Sequence, residues 1–507
     1  MNQEMSPNKQ DSKIELLSFI AVSLLVLSYR IWILQIFGFV YTDSDQSIMW
    51  LGAKNYANGL FHEPRFYGQA YNTMLEAFLS VPLIKLGIPI FKSLPIITTI
   101  LALLPIFILS IVTYLRNSKI TSVIILSIFL TLPIEYSFIT SMPRGFVTGI
   151  AFSSLSFLFL YKYDSKYAFF FVFFIAVLAY SINANSIILS IPICCIFFLK
   201  NYLNKYYYIY SILGLILGFS IHYIIDTFYI IHPYYNLHSY QTKFSFDLLK
   251  IGVSHLDIYF NYIVPIFWKN GWLIIVSFIP LAITLYKKNK YEVSIVSFII
   301  PFMILGTLLI TKVHDGSDSV FFSYARMYLA VPIVLLLMLS FLTINNRKWM
   351  YFTLIVSVIF TSINLTTSKQ VIDFNLKKNH VITILKNELA FKECSKLFTI
   401  SKKENIELIV ISNHWLYDVY NYGCPACIEQ FPNTLRPSYE RRTWRLIEEE
   451  NRIYSTILVI DLNRKFDNEF NFVTKLNDTQ GYYLIKNNQL STILLLNKLS
   501  IDVRKFK

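Results

Sequence analysis

Two aspartates, Asp43 and Asp45, stand in YTDSDQSIMW, directly after the first long apolar run of the chain. A carboxylate here can take a proton from a substrate hydroxyl. It can also do no chemistry at all, because aspartate is a favoured N-cap and either residue could cap QSIMWLGAKNYA. Residue type alone leaves both readings open. Other ionisable groups fall in segments that flank apolar runs: Glu63, Arg65, Glu76, Glu135, Arg144, His232, His238, His255, Asp257, His314, Asp315, Asp318 and Arg326. Each also has a plain reading. Histidine and tyrosine near a membrane interface form belts, and a long cation such as Arg326 can snorkel from the start of a span. Arg30 lies inside the first apolar run, where an ionisable residue is a functional candidate by default.

Several chemistries find no support. His232 and His238 are six residues apart, and HDGSD at 314–318 lacks the spacing of a calcium loop. No metal set is therefore assigned, although a divalent ion stays open. There is no phosphate loop, no glycine-rich dinucleotide turn and no nucleophile elbow.

The elements that must carry these residues are membrane helices. Of 507 residues, 55% are hydrophobic and only 15% charged, against about 25% charged in soluble domains. Apolar runs near the ~20-residue length of a span give about eleven helices: 14–38, 94–115, 120–140, 145–161, 167–183, 186–199, 206–227, 272–286, 292–311, 327–343 and 349–366. The net charge of +14 argues for short cytoplasmic loops and not for nucleic acid. The basic connections PNKQDSK, RNSK, YKYDSK, KNYLNK, YKKNK and NNRK alternate with a second set: 39–93, 133–145, the INANS turn, 228–271, 312–326 and the tail. The positive-inside rule then puts the N-terminus in the cytoplasm and the second set outside. This sorting makes 72–90 a surface helix, since Glu76, Pro82 and Lys85 suit a span poorly.

From about 367 the composition becomes that of a soluble α/β domain, 367–507, on the outer side. IELIVIS, STILVID, NFVTKL and GYYLIK read as strands. VITILKNELAFKECSKLF and TWRLIEEENRI read as helices. Of the five cysteines, Cys194 and Cys195 lie in a span as packing residues. Cys424 and Cys427, in CPAC, are expected to form a local disulfide, because an outward compartment lets disulfides persist.

The stretch SDQSIMWLGAKNYANGLFHEPRFYGQAYNTMLEAFLSVPL resembles the first outer loop of the superfamily C glycosyltransferases, which include protein O-mannosyltransferases and aminoarabinose transferases. Asp45, Gly59, Tyr67, Gly68, Gln69, Tyr71, Leu75 and Glu76 carry the likeness. PIEYSFITSMPRGF and YARMYLAVP resemble later segments of the same group, with Arg326 on its arginine. The family's acidic pair is Asp-Glu or Asp-x-Asp, and here Asp45 is followed by Gln46 while Asp43 and Asp45 make Asp-x-Asp.

The resemblance covers roughly 14–366 and implies juxtamembrane helices within loop 39–93. It implies an inverting transfer of a sugar from a polyprenyl-phosphate donor to a hydroxyl of a glycan, lipid or protein, at the outer face of a bacterial cytoplasmic membrane. Asp45 would be the base, with Asp43 the second choice. Arg326, and after it Arg144, would hold the phosphate. Glu76, Tyr67, Gln69 and Tyr71 would contact substrate, with His314 beside them on the same face. The alternatives are a flippase for lipid-linked sugars, using Arg30, Asp226 and His222 near the midplane, and an outer-face polysaccharide polymerase or ligase.

Overall fold

The computed structural model describes residues 9–235, 237–238, 242–265, 270–378, 382–440, 442–466, 470–476, 479–487 and 489–503, with backbone only for 9–12. The membrane region is helical: α1 (Lys9–Ile33), α2 (Ser44–Ala57), α3 (Leu75–Lys85), α4 (Ile90–Arg116), α5 (Lys119–Phe129), α6 (Ile134–Ile139), α7 (Thr148–Ser154), α8 (Lys166–Ile182), α9 (Ile187–Asn201) and α10 (Lys205–Ile231). After these come α11 (Phe246–Ser254), α12 (Leu256–Phe260), α13 (Gly271–Val276), α14 (Phe278–Lys287), α15 (Tyr291–Thr307), α16 (Val331–Ser340) and α17 (Arg347–Leu376).

Among the described residues, Lys13–Gly38, Ile90–Arg116, Ala184–Asn201, Lys205–Ile231 and Arg347–Leu376 are long and apolar enough to cross a membrane. Shorter apolar helices coincide with the other six expected spans. The expected helix over 120–140 is broken. α5 ends at Phe129, and α6 restarts after Pro133, which cannot donate an amide to a continuing helix. The run 145–161 likewise changes from α7 to a 3₁₀ segment at Leu155–Phe159. α3 has eleven residues and contains Pro82.

α17 continues to Leu376, ten residues past the compositional change at 366. Beyond it the chain forms β2 (Ile384–Lys386), α18 (Asn387–Lys403), β3 (Leu408–Asn413), α19 (Cys424–Cys427), β4 (Asn433–Leu435), α20 (Thr443–Glu450), β5 (Thr456–Asp461), β6 (Val473–Lys475), β7 (Tyr482–Lys486) and α21 (Thr492–Lys498). Five strands make one sheet in the order β4-β3-β5-β7-β6, with β3 parallel to β4 and β5. All six residues of β5 are buried, as expected for a central strand covered on both faces.

Two segments depart from the sequence reading. ILK, expected at the start of a helix, is β2. It pairs antiparallel with β1 (Tyr41–Asp43), matching Asp43 with Ile384. The amide of Asn387 extends the ladder by donating to Val40 O at 2.8 Å. The helix α2 is thereby fixed at its start by a segment from the far end of the chain. It is fixed along its length as well: Trp50 stacks on Phe391 with ring centres 6.1 Å apart, and Gly423 lies against Trp50 and Ser47.

The expected Cys424–Cys427 disulfide is not formed. Cys424 is bonded to Cys394 of α18, with Cα atoms 5.3 Å apart. The reason is the facing of α19. Cys424 lies with Cys394 in the core under the sheet, whereas Cys427 packs against the cluster of Trp50 and Phe391 and remains free.

Candidate active site

Asp43 and Asp45 take different positions at the start of α2. Asp43 is fully buried and is the N-cap: its carboxylate accepts from the amide of Gln46 at 3.1 Å and from the Gln46 side chain. It also accepts from Arg144, which is 2% exposed, in a buried ion pair. The other terminal nitrogen of Arg144 donates to Phe321 O. Asp45, one turn-step on, projects away from this cluster. Among the described residues its carboxylate has no hydrogen-bond or ion-pair partner.

Asp45 lines a cavity of about 290 Å³, together with Gln69, Tyr71, Arg144, Lys312, Asp315 and Arg326. Neutral polar groups complete the wall: Asn72, Asn183, Asn185 and Thr242. Asp45 is partly exposed and lines this recess, and the surrounding protein strips much of its hydration. Burial accordingly holds its carboxyl above the usual carboxylate range. Arg144 works against that shift, and Asp43 and Asp418 add to it.

The cations are placed by one loop. Lys312 is 3.2 Å from Asp315 and 4.3 Å from the centre of the Tyr71 ring. Burial pulls the Lys312 ammonium below the ordinary lysine range, and Asp315 partly restores it. Arg326 donates to the carbonyls of Phe322 at 3.1 Å, Ser323 at 2.9 Å and Asp315, and lies 4.0 Å from the centre of the Phe322 ring. Burial brings it down to about 10, so it stays charged at neutral pH. Asp315 thus serves Lys312 and Arg326 together.

Asparagines join the loops around the cavity. Asn183 donates to Asn72 Oδ1 at 2.6 Å and to Gly145 O at 2.9 Å. Gly145 sits at φ 77°, directly after Arg144, and a side chain there would meet Thr73 O at 3.5 Å in a strained conformation.

Of the residues singled out from sequence, Asp45, Arg144, Arg326, Gln69 and Tyr71 line one cavity. Asp43 lies behind its wall. Three others are elsewhere. Tyr67 is buried against Trp444, and its hydroxyl accepts from Asn55 at 3.3 Å. Glu76 is fully buried and accepts from Thr98 at 2.9 Å, Thr148 at 2.7 Å and the Gly145 amide at 3.1 Å. Its carboxyl is raised to about 7 by burial, against the pull of those donors. His314 has both ring nitrogens engaged, with Tyr259 Oη at 2.7 Å and Leu308 O at 2.8 Å. Lys312, Asn72 and the asparagines of INANS were not singled out. The signal for them was available in part, since two asparagines in so apolar a stretch are unusual. Among the described residues no group of three His, Cys, Asp or Glu side chains is gathered to hold a metal ion.

A second, apolar groove of about 530 Å³ is lined by Tyr56, Leu60, Phe61, Phe78, Phe152 and Ile182 among others. It shares two chain segments with the polar cavity: Thr73 and Met74 of the groove follow Asn72, and Ile182 precedes Asn183.

No family model and no curated protein sequence matches the chain. The solved structures do. The fold is matched by ArnT from Cupriavidus metallidurans in the apo state, with a TM-score of 0.53 over 94% of this chain and 98% of that one. The chain has the polytopic fold of ArnT. Identity between the two is 10%, so the likeness is one of architecture. That architecture agrees with the polytopic helical membrane protein with a small C-terminal α/β domain expected from the sequence.

Proposed function

We propose that the protein is a membrane glycosyltransferase that moves a sugar from a polyprenyl-phosphate donor to an acceptor hydroxyl at the outer face of a bacterial cytoplasmic membrane. One observation carries the reading. Asp45 is a carboxylate without a partner among the described residues, in a cavity that also holds Arg144, Lys312 and Arg326, and an apolar groove is lined by residues next in sequence to those of the cavity. The ArnT-like fold supports it, as a fold that holds a membrane transferase.

The chemistry follows from the charges. Asp45 takes the proton of the acceptor hydroxyl as its oxygen bonds to the anomeric carbon. The bond from that carbon to the phosphate oxygen breaks on the opposite face, so configuration inverts. The lipid phosphate leaves with the electron pair, and Lys312 with Arg326 offsets its charge. A carboxylate whose pKa is raised by burial is a stronger base, once ionised, than a solvated one. The groove of Leu60, Phe61 and Phe78 takes the first isoprenoid units.

The flippase reading is weaker on specific contacts. Arg30 is bound to the carbonyls of Ser137 and Thr140, Asp226 to Arg65 at 2.5 Å, and His222 to Ser181 at 3.0 Å. These groups tie helices together and do not line a common path. The polymerase or ligase reading shares the donor chemistry and differs only in the acceptor.

The test is to incubate purified protein with polyprenyl-phosphate hexoses and pentoses, with membrane extract as acceptor. Release of polyprenyl phosphate, followed by mass, is expected. Transbilayer movement of intact donor in vesicles with no release would replace this reading by the flippase.

A further inference from the structure

Two side chains on the cavity wall each carry a buried polar atom that no described group satisfies. Asn185 is 8% exposed and donates through Nδ2 to the carbonyls of Phe146 at 2.8 Å and Arg326 at 3.4 Å. Its Oδ1 has no partner. Arg144 spends its terminal nitrogens on Asp43 and Phe321 O, and its Nε has no partner. A buried polar atom left unsatisfied in a native protein calls for a ligand or a water.

The two atoms require opposite things. Asn185 Oδ1 accepts only, and Arg144 Nε donates only. A phosphate oxygen serves Nε alone, and an ammonium serves Oδ1 alone. A hydroxyl can meet either demand, as donor to Oδ1 or as acceptor from Nε. The rest of the wall agrees with a neutral ligand: Gln69, Asn72, Asn183 and Thr242 are uncharged, and Asp315 is already committed to Lys312 and Arg326. Apart from Asp45, an amino group entering here finds no free carboxylate.

Resting on the transfer reading above, we propose that Asn185 determines donor specificity: its Oδ1 accepts a hydrogen from a hydroxyl of the transferred sugar, and that sugar is a neutral, hydroxyl-rich one, not an amino sugar. Failure of this assignment is distinct from failure of the transfer reading.

The experiment takes whichever polyprenyl-phosphate sugar the purified wild-type protein turns over fastest. Single-position fluoro analogues of that donor, and a 4-amino-4-deoxypentose donor, are then compared by kcat/KM. Fluorine in place of hydroxyl leaves a weak acceptor and removes the hydrogen. At one ring position the fluoro analogue should lose about tenfold or more in the wild type, because a site built around a hydroxyl is left unpaired without it. The amino sugar should be poorer by a similar factor. In Asn185→Ala, and in Asn185→Ser should the first fail to fold, parent and that analogue should become equivalent. No sensitive position in the wild type, an unchanged ratio in a folded variant, or preference for the amino sugar would overturn the assignment while transfer stands. An inactive wild type with every donor would overturn the transfer reading and this assignment with it.

Discussion

Arg144 pairs with Asp43 and leaves Asp45, two residues along the same helix start, without a partner among the described residues. The two aspartates of the Asp-x-Asp pattern are therefore separated by task. Asp43 caps α2 and neutralises a buried guanidinium. Asp45 has an uncommitted carboxylate and faces the cavity.

Asparagine substitutions should separate these tasks. Asp45→Asn keeps the shape and removes the proton acceptor, so transfer should fall by at least ~10²-fold. Folding and donor binding should survive, as measured by thermal melting and lipid-phosphate binding. Asp43→Asn still caps but leaves Arg144 unpaired, and breaking a buried pair costs about 3–5 kcal/mol. It should fail by unfolding. Full transfer by a folded Asp45→Asn protein would remove the base from this residue.

The pH profile of kcat/KM should be bell-shaped. Asp45 must be ionised to accept a proton, and its raised pKa moves the acid limb above the ~3.9 of a solvated aspartate. Lys312 must be protonated to offset the leaving phosphate, and its lowered pKa moves the alkaline limb below the ~10.4 of a solvated lysine. Lys312→Met should lose about 10²-fold and abolish the alkaline limb. An alkaline limb unchanged in that variant would assign it elsewhere.

Glu76 should act on stability and not on catalysis. Its folded-state pKa of about 7 exceeds the ~4.3 of the unfolded chain, so the folded protein holds the extra proton between those values. Stability from this group is present below ~4.3 and is lost as pH rises through 7. Glu76→Gln cannot titrate. Its melting temperature relative to wild type should therefore climb between pH 5 and pH 8, with transfer retained. A constant difference across that range would contradict the raised value.

Peptide mapping without reduction should recover Cys394 linked to Cys424, and Cys427 as the thiol that labels after denaturation. Cys394→Ser should lower stability by about 2–4 kcal/mol, and Cys427→Ser should not. A Cys424–Cys427 linkage in the native protein would reverse the pairing.

Much of this was readable from local pattern. Hydropathy located every apolar helix, because a span needs a continuous run of about 20 residues and loops interrupt it. Alternation and β-branched residues located β3, β5, β6 and β7. The strands β1 and β2 were not legible, since each is three residues long and owes its form to the other. The candidate cavity was legible in part, since Asp45, Arg144 and Arg326, singled out by residue type and position, line it together. It was misread where polar residues are buried as struts: Tyr67, Glu76 and His314 are satisfied by neighbours distant in sequence. Cys424 found its partner on α18 because pairing depends on which face of a short helix meets which core.

The pairing of β1 with β2 also sets an order of events during synthesis. The strand that ends in the Asp43 cap is made early, with the first span, but its partner at Ile384–Lys386 follows the last one. Until that partner has been made, the edge of β1 that leads into α2 has nothing to bond. A chain lacking that partner should thus hold the Asp45 carboxylate without a fixed place, and under the proposed transfer it should be inactive. Chains ended before Ile384 should insert their helices, resist extraction from the membrane, and show rapid amide exchange across 41–47. Slow exchange there in such a chain would mean that α2 is set without its partner strand.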